Sequence, residues 1–170
     1  MAKRMKKLNI VIITISDSRT IKTDKSGIKL TSLIKKAGHN VKKKIIVPDD
    51  IYEIRAAASN FILDKNIDVI VTNGGTGITG RAGTPEAIKP LLDKEIDGFG
   101  EIFRSLSYEK IKTSSLQTRS LAGVANSTFI FVLPGSTDAC ITAWEKIIQH
   151  QLNSNTKPCN LVMLMPRLKE

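Results

Sequence analysis

Hydrophobic and polar positions follow two rhythms along the chain. Leu8 to Ile15, Ile67 to Thr72 and Thr128 to Leu133 are short, β-branched, nearly continuous apolar runs, the form of parallel strands covered on both faces. Ile45 to Val47 adds a weaker fourth. Between these runs the apolar residues recur every three to four positions, as on a helix with one buried face. Leu30, Leu33, Ile34 and Ala37 form one such set and stop at Gly38, which suits a helix C-terminus. Ile51, Ile54, Ala58, Phe61 and Ile62 form another, with Asp49 or Asp50 as N-cap. Thr84 and Pro85 read as the cap and first turn of a helix reaching Leu92, interrupted by Pro90. Phe99, Phe103 and Leu106 mark a further helix. The last runs from Ser136 to Leu152, with Cys140, Trp144, Ile147, Ile148 and Gln151 on one face. Such alternation predicts an α/β fold of three layers, a mostly parallel sheet with helices on both faces.

At 170 residues and 41% hydrophobic content, the chain suits one core and is read as one domain. Residues 1–7 form a basic extension and residues 153–170 a tail. The tail contains LVMLMP, too apolar for a solvated end, so it packs on its own domain or on a neighbouring subunit. The net charge of +10 is spread out, with concentrations only at Lys3 to Lys7 and Lys42 to Lys44. Phe61, Phe99, Phe103 and Tyr108 recur at helical spacing, which predicts core positions instead of a base-stacking surface. The basic charge therefore points to small anions more than to nucleic acid. MAKRMKK before LNIVIITI has the look of a signal peptide, but SDSRT stands where small residues would be cleaved. No run approaches the roughly 20 apolar residues of a membrane helix. Cys140 and Cys159 form no C-x-x-C pair, which fits a reducing, cytoplasmic setting.

The stretch VTNGGTGITGRAGTPEA, residues 71–87, spells G-x-G-x-x-G through Gly75, Gly77 and Gly80. A dinucleotide fingerprint starts its helix inside the motif, whereas here the helix signal waits until Thr84. A Walker loop ends in Gly-Lys-Ser/Thr, and this chain has Gly80-Arg81-Ala82. What remains is a strand ending in a turn at Gly74, Gly75 and Gly77, whose N–H groups can approach an anion with the Thr76 hydroxyl beside them. The same glycines also read as a tight turn and nothing more. Two further polar turns, ISDSRT at 15–20 and LPGS at 133–136, leave apolar strands in the same way. Ligands of open α/β sheets collect at the carboxyl ends of strands, so the three turns together predict a crevice for an anionic small molecule.

TISDSR, VPDD, TNGGTG, TPEAIKPLLDKEIDGFGEIFR, SLQTRSLAGV and LPGS occur in that order. The series resembles the MoaB/MogA molybdenum cofactor biosynthesis family, and its MoaB branch most, over roughly residues 8–165. The resemblance implies a molybdopterin-binding (MogA-like) fold, a homotrimer or homohexamer, and molybdopterin as ligand or substrate. In active members it also implies adenylylation of molybdopterin with Mg-ATP. Carried onto this chain, it makes Asp49 and Glu101 the catalytic candidates, with Asp49 also the candidate magnesium ligand. The molybdopterin and phosphate site would take Ser16, Asp17, Gly74, Gly75, Thr76, Gly77, Thr84, Arg119, Pro134, Gly135 and Ser136. By spacing alone, Asp49 reads as a helix cap and Glu101 as an exposed helical carboxylate.

One departure matters. The family commonly has an aspartate two residues before the TPEA segment, and this chain has Ala82 there. Losing a carboxylate removes a potential magnesium ligand, so binding can persist while adenylyl transfer weakens. Two readings follow: an adenylyltransferase, or a molybdopterin-binding or carrier protein with weak catalysis. A third, an unrelated nucleotide- or RNA-binding domain, would show salt-sensitive RNA binding without pterin binding.

Overall fold

The computed structural model describes residues 5–169; the first four residues of the basic extension lie outside them. Six strands form one sheet in the order β2-β1-β3-β6-β5-β4. β1 (Asn9–Ile15), β2 (Asn40–Val47), β3 (Val69–Asn73) and β6 (Thr128–Leu133) run parallel. β5 (Leu121–Ala125) lies antiparallel to β6, and the two-residue β4 (Lys94–Glu95) antiparallel to β5. The expected mostly parallel, three-layer α/β architecture is therefore present.

Each apolar run serves both faces. Ile10 and Ile12 of β1, Val69 and Val71 of β3, and Phe129, Phe131 and Leu133 of β6 enter one core layer. Val11, Ile13 and Ile15, Ile70, and Ile130 and Val132 enter the other. The first layer is covered by α1 (Lys25–Lys36), α4 (Asp97–Ile111) and α5 (Thr137–Ala143), and the second by α2 (Ile51–Leu63) and α3 (Thr84–Ile88). Two-sided burial is what removes polar alternation from these strands.

Elements that the apolar pattern missed are at the margins. β2 starts at Asn40, not Ile45, because it pairs with β1 alone and its Lys42 and Lys43 face solvent on the sheet edge. β5 is small and short, and joins β6 through Asn126 and Ser127, both at positive φ, the geometry of a tight hairpin. The final helix continues beyond α5 through a π turn, Trp144–Ile148, into α6 (Gln149–Gln151). One more follows: α7 (Leu161–Leu164), capped by Asn160, whose Oδ1 accepts from Met163 N at 3.1 Å. Val162 is buried in the first core layer with Leu161, Met165 and Leu168 packed around it, while Met163 and Leu164 of the same run remain exposed. Of the four aromatics expected inside, Phe99 and Phe103 are buried and Phe61 is half-buried. Tyr108 is exposed, on the α4 turn that has left the core, with the Lys112 ammonium 5.8 Å from its ring. Among the described residues, no helix is long and apolar enough to cross a membrane.

Register brings the strand ends together. Ile15 pairs with Val47, Thr14 with Asn73, and Asn73 with Leu133. The four segments that follow therefore emerge side by side.

Candidate functional site

The turn after β3 needs its glycines. Gly74 and Gly75 stand at φ +107° and +66°, a region costly for residues with a Cβ. A Cβ on Gly74 would strike the Ile15 carbonyl, and one on Gly75 the Thr84 hydroxyl. Gly74 N donates to Leu133 O at 3.0 Å, and Gly135 lies close enough that its Cβ would sit 3.3 Å from Gly74 Cα. The LPGS loop thus rests on the glycine turn. Gly77 differs: it has no left-handed φ, and its nearest neighbour would be Ala82 Cβ at 3.9 Å. Thr84 does not cap α3, since Gly83 occupies that position with no side-chain cap. Its hydroxyl donates instead to Gly74 O at 2.9 Å, and its N–H to Gly75 O at 3.0 Å. The predicted cap is a strut beneath the turn because the loop folds back over the helix start.

Beside this turn lies a cavity of about 300 Å³ lined by Ser16, Arg19, Ser26, Asn73, the Gly74–Gly77 segment and Gly135. Its floor is a buried polar network. Asp24 accepts from Thr14 Oγ1 at 2.8 Å, Lys44 Nζ at 2.9 Å and Gly27 N at 2.9 Å. Asn73 Nδ2 donates to Thr14 Oγ1 at 3.0 Å, while Ser26 Oγ donates to Asn73 Oδ1 at 2.8 Å. Burial pushes the Asp24 carboxyl up, but the donors from Lys44, Gly27 and Thr14 outweigh it and hold the group below its ordinary value. Thr14, Asp24, Ser26, Lys44 and Asn73 were not singled out from the sequence. A polar Thr14 and Asn73 at the ends of otherwise apolar strands, and Asp24 three residues before Gly27 at a helix start, were the available signals.

A larger open cavity, about 770 Å³, adjoins the first and shares Ser16 and Arg19 with it. Across its rim, Asp17 Oδ1 accepts from Asp49 N at 3.2 Å and Arg81 Nη2 at 3.1 Å, and Arg81 Nη2 also reaches Asp49 O at 3.1 Å. Asp50, not Asp49, caps α2: its carboxylate accepts from Tyr52 N and Glu53 N at 2.9 and 3.1 Å. That leaves the Asp49 carboxylate to the glycine segment, where Gly83 N donates to it at 3.4 Å. Asp17 and Asp49 are thus neighbours, although no group of three potential metal ligands occurs among the described residues.

Arg119 lies behind the turn. Its Nε and Nη2 donate to Gly77 O at 3.0 and 2.6 Å, Nη2 also to Ala82 O at 2.7 Å, and Nη1 to Glu86. Burial pushes Glu86 up, but the Arg119 hydrogen bond, a backbone N–H and the Arg119 charge together outweigh it and hold that carboxyl below its ordinary value. Arg119 therefore ties the two ends of the 77–82 loop together. Thr76, buried, accepts from Arg119 N through its carbonyl at 3.3 Å. Ser136 caps α5, accepting from Ala139 N at 3.2 Å, and Pro134 O accepts from Cys140 Sγ at 3.3 Å. Burial pushes the Cys140 thiol up to about 12, so it is inert. Glu101 stands apart from the glycine turn, exposed on α4 in a hollow with Lys89, Glu95 and Arg104.

The chain resembles known proteins over nearly its whole length. Residues 11–154 match a family profile described as a probable molybdopterin binding domain. It is 49% identical over 161 residues to molybdenum cofactor biosynthesis protein B of Escherichia coli, covering 95% of this chain and 93% of that one. With the Bacillus cereus protein of the same name it shares 45% identity over 152 residues, or 89% and 90% of the two chains. A crystal structure of a molybdenum cofactor biosynthesis protein B superposes with a TM-score of 0.87 at 41% identity, covering 96% of this chain and 97% of that one. The tungsten cofactor synthesizing protein MoaB from Pyrococcus furiosus gives 0.79 at 36% identity, covering 97% and 99%.

Proposed function

This chain belongs to the molybdopterin-binding family of molybdenum cofactor biosynthesis proteins, and from that premise we propose that the crevice at the carboxyl ends of β1, β3 and β6 holds molybdopterin by its phosphate. The observation that carries this reading is the left-handed Gly74-Gly75 turn, open on one side to a polar cavity. Backbone donors fixed by such a turn bind an anion with no reorganisation. Gly75, Thr76, Gly77, Gly135 and Ser136 supply main-chain groups around it. Ser16 and Arg19 add side-chain donors.

The reaction such a site supports is adenylyl transfer. A molybdopterin phosphate oxygen attacks the α-phosphorus of ATP, forming a new P–O–P link while the bond to pyrophosphate breaks. The protein contributes position and charge stabilisation, and no covalent nucleophile is required. Magnesium binds through one or two carboxylates together with substrate phosphates and water, and Asp49, whose carboxylate faces the glycine segment, fits that donor set. There the ion would offset charge on the phosphoryl oxygens. Glu101 enters this scheme only if ATP extends toward α4.

A second reading, a binding or carrier protein with weak catalysis, is favoured by Ala82, which faces Gly77 and adds no carboxylate. Incubating the protein with molybdopterin, ATP and magnesium separates the two. Adenylylated pterin with stoichiometric pyrophosphate supports the enzyme; saturable molybdopterin binding without pyrophosphate supports the carrier. Binding of neither would sink both readings. Self-association as a trimer or hexamer accompanies the family reading. Ile102, Ile111 and Leu116, all exposed on or just after α4, are apolar surface suited to it, and a monomer by light scattering would remove it.

A further inference from the structure

The two adjoining lobes differ in chemistry. The smaller is polar and largely backbone-lined, whereas the larger presents Ile21, Ile46, Val47 and Pro48 as an apolar wall. Because Ser16 and Arg19 line both, a ligand with an anionic end and a flat ring can span them. Among the described residues lining the larger lobe, Asp17 is the one carboxylate. Its two oxygens are used unequally. Oδ1 accepts from Asp49 N and Arg81 Nη2, and no described residue donates to Oδ2.

An ionised carboxylate only accepts, with about two acceptor sites on each oxygen. Oδ2 therefore suits a ring edge with two adjacent N–H donors. A pterin has that edge in its 2-amino group and N3–H; guanine has the same pair. Adenine offers one amino group between ring nitrogens that are themselves acceptors, so one hydrogen bond forms while a lone pair faces the carboxylate. We propose that Asp17 selects the ring bound against the apolar wall, its Oδ2 accepting from the 2-amino and N3–H groups of the pterin. The proposal rests on the molybdopterin reading, and it assigns Asp17 a role beyond latching the Asp49 loop.

The substitution Asp17→Asn tests it closely. Asparagine keeps one oxygen for Asp49 N–H and Arg81 and replaces the other with an amide donor, so the latch survives while the edge preference reverses. Titrations of wild type, Asp17→Asn and Asp17→Ala with molybdopterin, GMP and AMP are the measurement, with circular dichroism confirming the fold. In Asp17→Asn, molybdopterin and GMP should bind at least about tenfold more weakly, with AMP unchanged or tighter. Asp17→Ala should weaken all three, through the lost latch. Equal losses for AMP and molybdopterin in Asp17→Asn, or no loss for either, would overturn the assignment. A wild type that prefers GMP to AMP, loses that preference in Asp17→Asn, yet does not bind molybdopterin would keep Asp17 as the edge-reading residue and overturn the molybdopterin reading instead.

Discussion

Asp24–Lys44 and Asp17–Arg81 are both ion pairs at the carboxyl end of the sheet, at 2.9 and 3.1 Å, and they do opposite work. In the first, the carboxylate side chain is fully buried and the lysine 17% exposed; in the second the exposures are 50% and 68%. The buried carboxylate takes all its partners from the protein and fixes Thr14, Ser26 and Asn73 beneath the cavity. The exposed pair leaves a carboxylate oxygen and most of a guanidinium open to solvent or ligand. A charge kept from water must be fully partnered to be tolerated, so it becomes scaffold. A charge left in water costs little and stays available for chemistry.

The largest effect should come from breaking the buried pair. Asp24→Ala leaves the Lys44 ammonium uncompensated and Asn73 misaligned, and should cost about 3–5 kcal/mol of stability, read by urea unfolding. A loss below about 1 kcal/mol would equate the two pairs and end the contrast.

Next in size is Ala82→Asp, which adds a carboxylate to the exposed side. If that carboxylate reaches magnesium, adenylyl transfer at limiting magnesium should rise by about two to three powers of ten, equivalent to about 3–4 kcal/mol at the transition state. Molybdopterin affinity should change little. A magnesium titration of pyrophosphate release decides it, and coincident curves for variant and wild type would show that Asp49 already suffices.

Arg119–Glu86 sits between the extremes in exposure, 32% and 49%. Arg119→Lys keeps the charge but cannot span Gly77 O, Ala82 O and Glu86 at once. It should cost about 1–2 kcal/mol and weaken phosphate binding roughly tenfold, measured by unfolding and calorimetry. Smallest is Arg81→Ala, within about 0.5–1 kcal/mol in stability; a larger loss would mean that the exposed pair is scaffold too.

Acid sharpens the same contrast. Asp24 has its folded pKa lowered from 3.8, so its stabilisation is present above that value and is lost as pH falls through the folded pKa. His39, buried with Nδ1 accepting from Leu8 N at 3.2 Å, has its pKa lowered from 6.5 by burial, despite the raising influence of Asp68. It resists protonation in the fold, so stability declines earlier, as pH drops below about 6.5. Unfolding at pH 7, 5.5 and 3.5 should show two declines, with the first missing in His39→Asn.

The apolar runs 8–15, 67–72 and 128–133 determined three of the central parallel strands, because burial on both faces leaves an unbroken hydrophobic signature that single residues cannot disguise. The periodic segments determined α1, α2 and α4, and the capping pattern at Ser136 determined the start of α5. The glycines at 74 and 75 were legible for the same kind of reason, since only a residue without Cβ fits a left-handed turn against Ile15. What the sequence left open were partnerships between distant segments. Asp49 and Asp50 are equally good caps by spacing, and only the packing of the 81–83 loop over α2 gave the cap to Asp50 and freed Asp49. Thr84 reads as a cap until the glycine turn is seen resting on it. Asp24, Lys44 and Asn73 lie up to 49 positions apart, with nothing local to join them. Parallel pairing of β1 with β2 and β3 sets Thr14, Lys44 and Asn73 near one another, and the start of α1 brings its N-cap Asp24 onto them. Periodicity reports how a segment meets a generic apolar interior, whereas a polar contact depends on which other segment arrives, and that was decided only when the sheet closed.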